Sequence, residues 1–144
     1  MRKDAIRAIA ICVFRNGDRI LVSEGTDSVK QEHFYRPLGG TIEFGERGAE
    51  TIVRELMEEI KAEVTDLQYL GLLENHFVYE AERGHEIVMV YDGKFVDKSL
   101  YEKTIIFGDE LGSPIRAMWI TLSELGPGKP PLYPFGLSEI LQNM

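Results

Sequence analysis

The chain has 144 residues, 44% hydrophobic and 28% charged, and a formal net charge of -8. That length suits one domain with a sizeable core, so residues 1–144 are expected to form a single domain. The acidic balance argues against a nucleic-acid polymer as partner, because gripping a phosphate backbone takes a basic surface. A small nucleotide stays open as a ligand, since metal ions bridge phosphates to carboxylates. No apolar run is long enough to span a membrane. The single cysteine, Cys12, lies in an apolar run and has no partner for an internal disulfide. It reads as a buried thiol, which fits a reducing cytoplasm.

The first residues, MRKDAIRAIAICVF, run from basic to apolar and faintly mimic a signal peptide. The apolar stretch is short, is broken by Arg7 and lacks a convincing cleavage site, so residues 5–14 are expected to be the first strand. Asn16-Gly17 signals a hairpin, with Arg19 to Ser23 returning as a second strand. Residues 24–33 are polar and read as a loop. His33 to Pro37 suggests a short strand leading to a glycine turn at Gly39-Gly40.

Glu50 to Ala62 carries a helical pattern. At about 100° per residue, Glu55, Glu58 and Glu59 are neighbours at i+3 and i+4 and share one side. Ile52, Val53, Leu56, Met57 and Ile60 are expected to form the core stripe on the other. Like charges so placed cost a helix a few tenths of a kcal/mol, which points to a compensating cation. Carboxylate oxygens suit hard ions, Mg²⁺ or Mn²⁺. A solvated acidic face is the ordinary alternative. Arg54 beside Glu55, the glycine pair and Glu46 one loop away weigh against it.

Further on, Asp66 to Tyr79 and His85 to Val96 read as a long hairpin turning at Glu82-Arg83-Gly84. Residues 97–114 are polar, with Gly108 and Gly112, and are expected to form a flexible loop. Ala117 to Thr121 is a strand, Ser123-Glu124-Leu125 a helical turn, residues 126–131 a rigid Gly/Pro loop, and Leu137 to Gln142 a last helix. Mixed strands with two helices imply an α/β fold, an α/β/α sandwich around a mixed central sheet. His33, His76 and His85 lack a metal-ligand spacing and read as packing or surface residues. No Asp-rich calcium loop occurs.

Gly40, five residues, Glu46, seven residues, then Arg54-Glu55-Leu56-Met57-Glu58-Glu59 and, after Ile60-Lys61, Ala62: this pattern resembles the Nudix box of the Nudix (MutT-like) hydrolases. Two positions depart from it. Lys61 stands where the family has a late glycine that ends the helix in a left-handed turn. Leu38 separates Pro37 from the glycine pair, where the family commonly has proline directly before it. The resemblance implies the same sandwich fold and hydrolysis of a nucleoside diphosphate linked to another moiety, X, by water attack on phosphorus. It implies Glu55, Glu58, Glu59 and the Gly39 carbonyl as metal ligands for Mg²⁺ or Mn²⁺. Arg54 would hold a box glutamate, with Gly40 and Glu46 in support. The general base is either a box glutamate or an acid on a later loop, for which Glu110 is the candidate; an exposed loop acid is its ordinary reading. Arg36 and Tyr79 are weaker substrate-binding candidates, Tyr79 because a tyrosine in that region accompanies dinucleoside polyphosphate substrates in some members. A homodimer is compatible with the family. The other functional class is a non-catalytic Nudix-like domain that senses a nucleotide.

Overall fold

The computed structural model describes residues 4–126 and 128–144. The chain order is β1 (Ile6–Asn16), β2 (Arg19–Asp27), β3 (Glu32–Arg36), β4 (Leu38–Thr41), α1 (Gly48–Ile60), β5 (Val64–Tyr79), β6 (Glu82–Phe95), β7 (Ile105–Glu110), β8 (Ser113–Thr121) and α2 (Leu137–Gln142). The strands form one sheet in the order β5-β6-β1-β2-β8-β7, with β3 added to β2 and β4 to β1. The β1–β6 pair is parallel and the other strand pairs are antiparallel, so the sheet is mixed.

The run Ile9 to Phe14 explains the layering. All six residues are buried. Successive strand residues point to opposite faces, so an unbroken apolar run means both faces are covered. Ala10, Cys12 and Phe14 join Ile52, Leu56 and Ile60 of α1 in one core. Ile9, Ile11 and Val13 join Leu137 of α2 in the other, with Ile140 and Leu141 packed alongside. A helix on each side of a mixed sheet is the expected α/β/α sandwich.

Several expected elements move. The β1–β2 hairpin forms at the Asn-Gly signal, but Asn16 pairs with Arg19 and the turn is Gly17-Asp18. Residues 24–27 continue β2 instead of leaving it, because β3 pairs with them. The glycine pair is no turn: Gly39 and Gly40 sit in β4 opposite Ile11 and Ala10. A Cβ on Gly39 would overlap the backbone carbonyl of Ala10, so glycine here serves close strand approach. The long hairpin turns at Glu80-Ala81, both at positive φ, and Glu82, Arg83 and Gly84 belong to β6. Residues 97–114 are not a flexible loop. They hold a 3-10 turn (Lys98–Glu102), then β7 and the start of β8, closed by Leu111-Gly112 at positive φ. Their polarity reflects a strand pair with one wet face. The 3-10 turn at Leu122–Glu124 and helix α2 lie where expected. Of the anticipated Gly/Pro loop, Pro127 falls outside the described residues. Among those described, no helix is long and apolar enough to cross a membrane.

Candidate active site

The site is assembled on α1 and the two strands against it. Glu50 accepts a 2.8 Å hydrogen bond from the Arg47 backbone N–H at the helix start, satisfying one of the free amides there. At the other end Lys61 takes the left-handed conformation, φ 57°; its N–H donates to the Met57 carbonyl at 3.1 Å and the Ala62 N–H to the Leu56 carbonyl at 3.2 Å. The family's glycine turn is therefore made by a lysine, at a backbone cost of about 1–2 kcal/mol.

The helix is rotated relative to the expected stripe. Val53 and Met57 are exposed, whereas Thr51 and Glu59 are buried with Ile52, Leu56 and Ile60. The reason is arithmetic. Glu59 is seven residues from Ile52, and at about 100° per residue it returns to within about 20° of it. Glu55 flanks it, and Glu58 points further out, its side chain 58% exposed. The three glutamates thus form a ramp from buried to wet.

Arg54 ties the outer part together. Its Nε and Nη2 donate to Glu46 at 2.8 and 3.0 Å. Its Nη1 donates to Glu55 at 2.9 Å and to Glu58 at 3.4 Å, and Nη2 also donates to the Thr41 carbonyl at 3.0 Å. These bonds hold the guanidinium well above its ordinary pKa, Glu46 contributing most. Glu46 also accepts the Thr51 hydroxyl at 2.6 Å and the Glu43 backbone N–H at 3.1 Å. The Arg54 bonds, then Thr51, hold its carboxyl down at about 2. Thr51 and the Thr41 carbonyl were not legible in the sequence. Thr51 reads as an ordinary helix residue until its hydroxyl is seen to face Glu46.

Gly40 makes room for Glu55: a Cβ there would overlap the Glu55 carboxyl. Gly108 does the same for β7, where a Cβ would overlap the Glu59 backbone carbonyl. Glu110 is two residues beyond Gly108 and so faces the same way. It is exposed at the end of β7, yet its charge reaches Glu59. A strand, and not the flexible loop expected, carries Glu110.

Glu59 is the electrostatic centre. It is 4% exposed, and its Oε1 is buried with no hydrogen-bond partner. Burial pushes its carboxyl up to about 9, helped by hydrogen bonding with Glu55 and by the charges of Glu110 and Glu55; Arg36 pulls the other way. Arg36, exposed at the end of β3, is the one positive charge among these influences. Tyr79 is not among them. It sits at the tip of the β5–β6 hairpin, edge-on to Phe34 with ring centroids 6.1 Å apart. Its neighbour Glu80 turns away to Ser28. His76 and His85 stack on each other across β5 and β6, 4.0 Å between centroids.

A divalent ion fits this donor set in kind. The donors are hard carboxylate oxygens, one of them orphaned in the interior, and Arg54 is already spent on the outer acids. Among the described residues, no three acidic, His or Cys side chains converge on one point as a finished cage. An ion here would draw its remaining ligands from backbone, water and substrate, as Mg²⁺ does.

The comparisons with known proteins agree with this architecture. The family model described as NUDIX domain matches residues 4–144. Among solved structures, the chain is similar to a MutT NUDIX hydrolase from Burkholderia pseudomallei, with a TM-score of 0.68 at 16% identity over 98% of this chain and 100% of that one. It is also similar to a NUDIX hydrolase from Nitrosomonas europaea, at 0.58 and 17% over 83% and 75% of the two chains. A structure described as an ADP compounds hydrolase matches at 0.53 and 21% over 81% of this chain and 58% of that one. At these identities the structures speak for the fold; the family model, matching nearly the whole length, shows that the chain belongs to the Nudix hydrolase family.

Proposed function

We propose that this protein is a metal-dependent hydrolase of a nucleoside diphosphate linked to a further moiety X, working with Mg²⁺ or Mn²⁺. The observation that carries the reading is the buried, unpartnered Oε1 of Glu59 beside Glu55 and within the field of Glu110. A buried acid left unsatisfied is costly, and a bound cation turns that cost into affinity. In this reading Glu55, Glu58, Glu59 and the Gly39 carbonyl are the ligands. A divalent ion held there supplies neutralisation of the phosphoryl oxygens and a more acidic water.

The chain's own groups do the rest. Arg54 fixes Glu55 and Glu58 in direction and is itself locked by Glu46, so the outer carboxylates are positioned before substrate arrives. Gly40 lets Glu55 lie against β4. Arg36 brings a positive charge to the edge of the acidic cluster, where it would meet a substrate phosphate. The proton of the attacking water goes either to a box glutamate or to Glu110, which the β7 strand holds near Glu59. Tyr79, packed on Phe34, is a weaker contact for a distal part of the substrate. A cytoplasmic setting belongs to the same reading, with the buried free thiol of Cys12 in its support.

The test is a panel of nucleoside triphosphates, ADP-ribose, dinucleoside polyphosphates and nucleotide sugars, assayed for release of nucleoside monophosphate. Product with Mg²⁺ and none with chelator is expected for at least one of them. Full activity after exhaustive chelation would overturn the metal assignment. Tight nucleotide binding with no product from any member would favour the nucleotide-sensing alternative.

A further inference from the structure

Away from the carboxylates, the turn end of the β1–β2 hairpin and the 3-10 turn before β7 line an open cavity of about 520 Å³. Its lining includes Arg19, Lys98 and Lys103, with Glu102 as the one acid, beside Tyr101 and Trp119. It is distinct from the candidate active site. Arg19 pairs with Asn16, whereas β4 pairs with Ile9 to Cys12. Asn16 is four residues beyond Cys12, about 13 Å at a strand rise of ~3.3 Å.

Three features make this more than a solvated edge. The protein carries a net charge of -8, yet three cations meet here against one acid. Among the described residues, none of the three forms an ion pair, whereas Arg7, Arg15 and Arg54 all do. The walls are also fixed. Trp119 Nε1 donates to the Leu100 carbonyl at 3.1 Å, and Asn16 Nδ2 donates to the Tyr101 carbonyl at 2.9 Å. Tyr101 and Trp119 stack with centroids 5.3 Å apart. The short turn that starts at Lys98 and is followed by Lys103 is thus pinned to the sheet beside Arg19.

We propose that this cavity is a second binding site, for a small phosphate-class oxyanion: phosphate, diphosphate or the phosphate end of a nucleotide. Such a ligand would take charge-assisted hydrogen bonds from the three cations, and the volume lies within the ~300–1,000 Å³ usual for small-molecule pockets. Because the proposal concerns binding, it stands apart from the hydrolase reading.

The protein contains a single tryptophan, Trp119, in the cavity lining, so its fluorescence reports on the site directly. The intact protein is titrated in chelator with inorganic phosphate, pyrophosphate and adenosine monophosphate in separate arms. Chelation keeps metal-bridged phosphates out of the acidic site. A saturable, salt-sensitive signal with at least one ligand is expected. The double variant Arg19→Gln/Lys103→Gln should weaken it roughly tenfold or more while keeping the wild-type circular dichroism. Glu102→Gln, which removes the one acid of the lining, should tighten it. Adenosine monophosphate binding more strongly than phosphate would assign the site to nucleotides; equal binding would assign it to the bare phosphate group. A flat wild-type titration in all arms, or a folded double variant that binds as the wild type does, would overturn the proposal.

Discussion

Two glutamates on the same scaffold have their pKa values shifted in opposite directions. Glu46 is held down at about 2 by Arg54 and Thr51, from an ordinary 4.5. Its unfolded form binds more protons through that window, so its contribution is complete above pH 4.5 and is lost as the pH falls toward 2. Glu59 is pushed up from 4.5 to about 9. Here the folded form binds the extra proton, so metal-free stability declines as pH rises from about 4.5 toward 9. Thermal unfolding of the metal-free protein across this range should therefore show Glu46→Gln flattening the acid limb and Glu59→Gln flattening the alkaline one. At neutral pH Glu59→Gln should melt a few degrees above wild type, yet its turnover should fall by about 10²–10³, the usual cost of losing a main electrostatic group. Near-normal turnover would remove Glu59 from the proposed ligands. Lys61 makes a separate case. Since its left-handed φ of 57° penalises any side chain, Lys61→Gly should stabilise by about 0.5–1 kcal/mol, read from denaturant unfolding.

Among the elements, the β7–β8 hairpin decides the most. In place of the flexible loop expected over residues 97–114, β7 lies against the last turn of α1 through Gly108. Gly108→Ala should cost about 1–3 kcal/mol, because the new methyl meets the Glu59 backbone and neither strand nor helix end can yield freely. Glu110 is then delivered by strand geometry. If it takes the proton, Glu110→Gln should slow the chemical step strongly in single-turnover assays while metal affinity holds; if a box glutamate does, turnover should hardly change. The next acids to test, Glu80, Glu82 and Glu86, are poorer alternatives: the first two lie at the hairpin tip, where Glu80 accepts from Ser28 at 2.8 and 2.5 Å, and Glu86 is paired with Arg7 at 2.6 Å.

For the molecule as a whole, two charge environments lie at different places on the α1 side of the sheet. Acids gather where β4, β7 and α1 meet, and unpaired cations gather at the far end of the β1–β2 hairpin. A metal that binds only the folded state must raise stability by mass action, about 2.7 kcal/mol at 100 times its dissociation constant. The unfolding midpoint should therefore climb with Mg²⁺ or Mn²⁺ in the wild type and much less in Glu59→Gln. An equal shift in both would place the ion elsewhere.

The fold class, the layer order and the box residues were legible in the sequence because they rest on local rules. An unbroken apolar run requires two covered faces, Asn-Gly turns a hairpin, and the spacing from Gly40 to Glu59 is fixed along the chain. The depth of Glu59 was missed, although its seven-residue interval to Ile52 carries it. What the tertiary structure alone decided depends on contacts between distant segments. Gly39 and Gly40 became a strand because β1 offered them a partner. Residues 97–114 became ordered because β8 paired with β7, and the charge of Glu110 reached Glu59 because β7 lies against α1. The cation cavity unites residues near 19, 100 and 119, and no local pattern could reveal that, since charge clustering across such separations exists only once the sheet has formed.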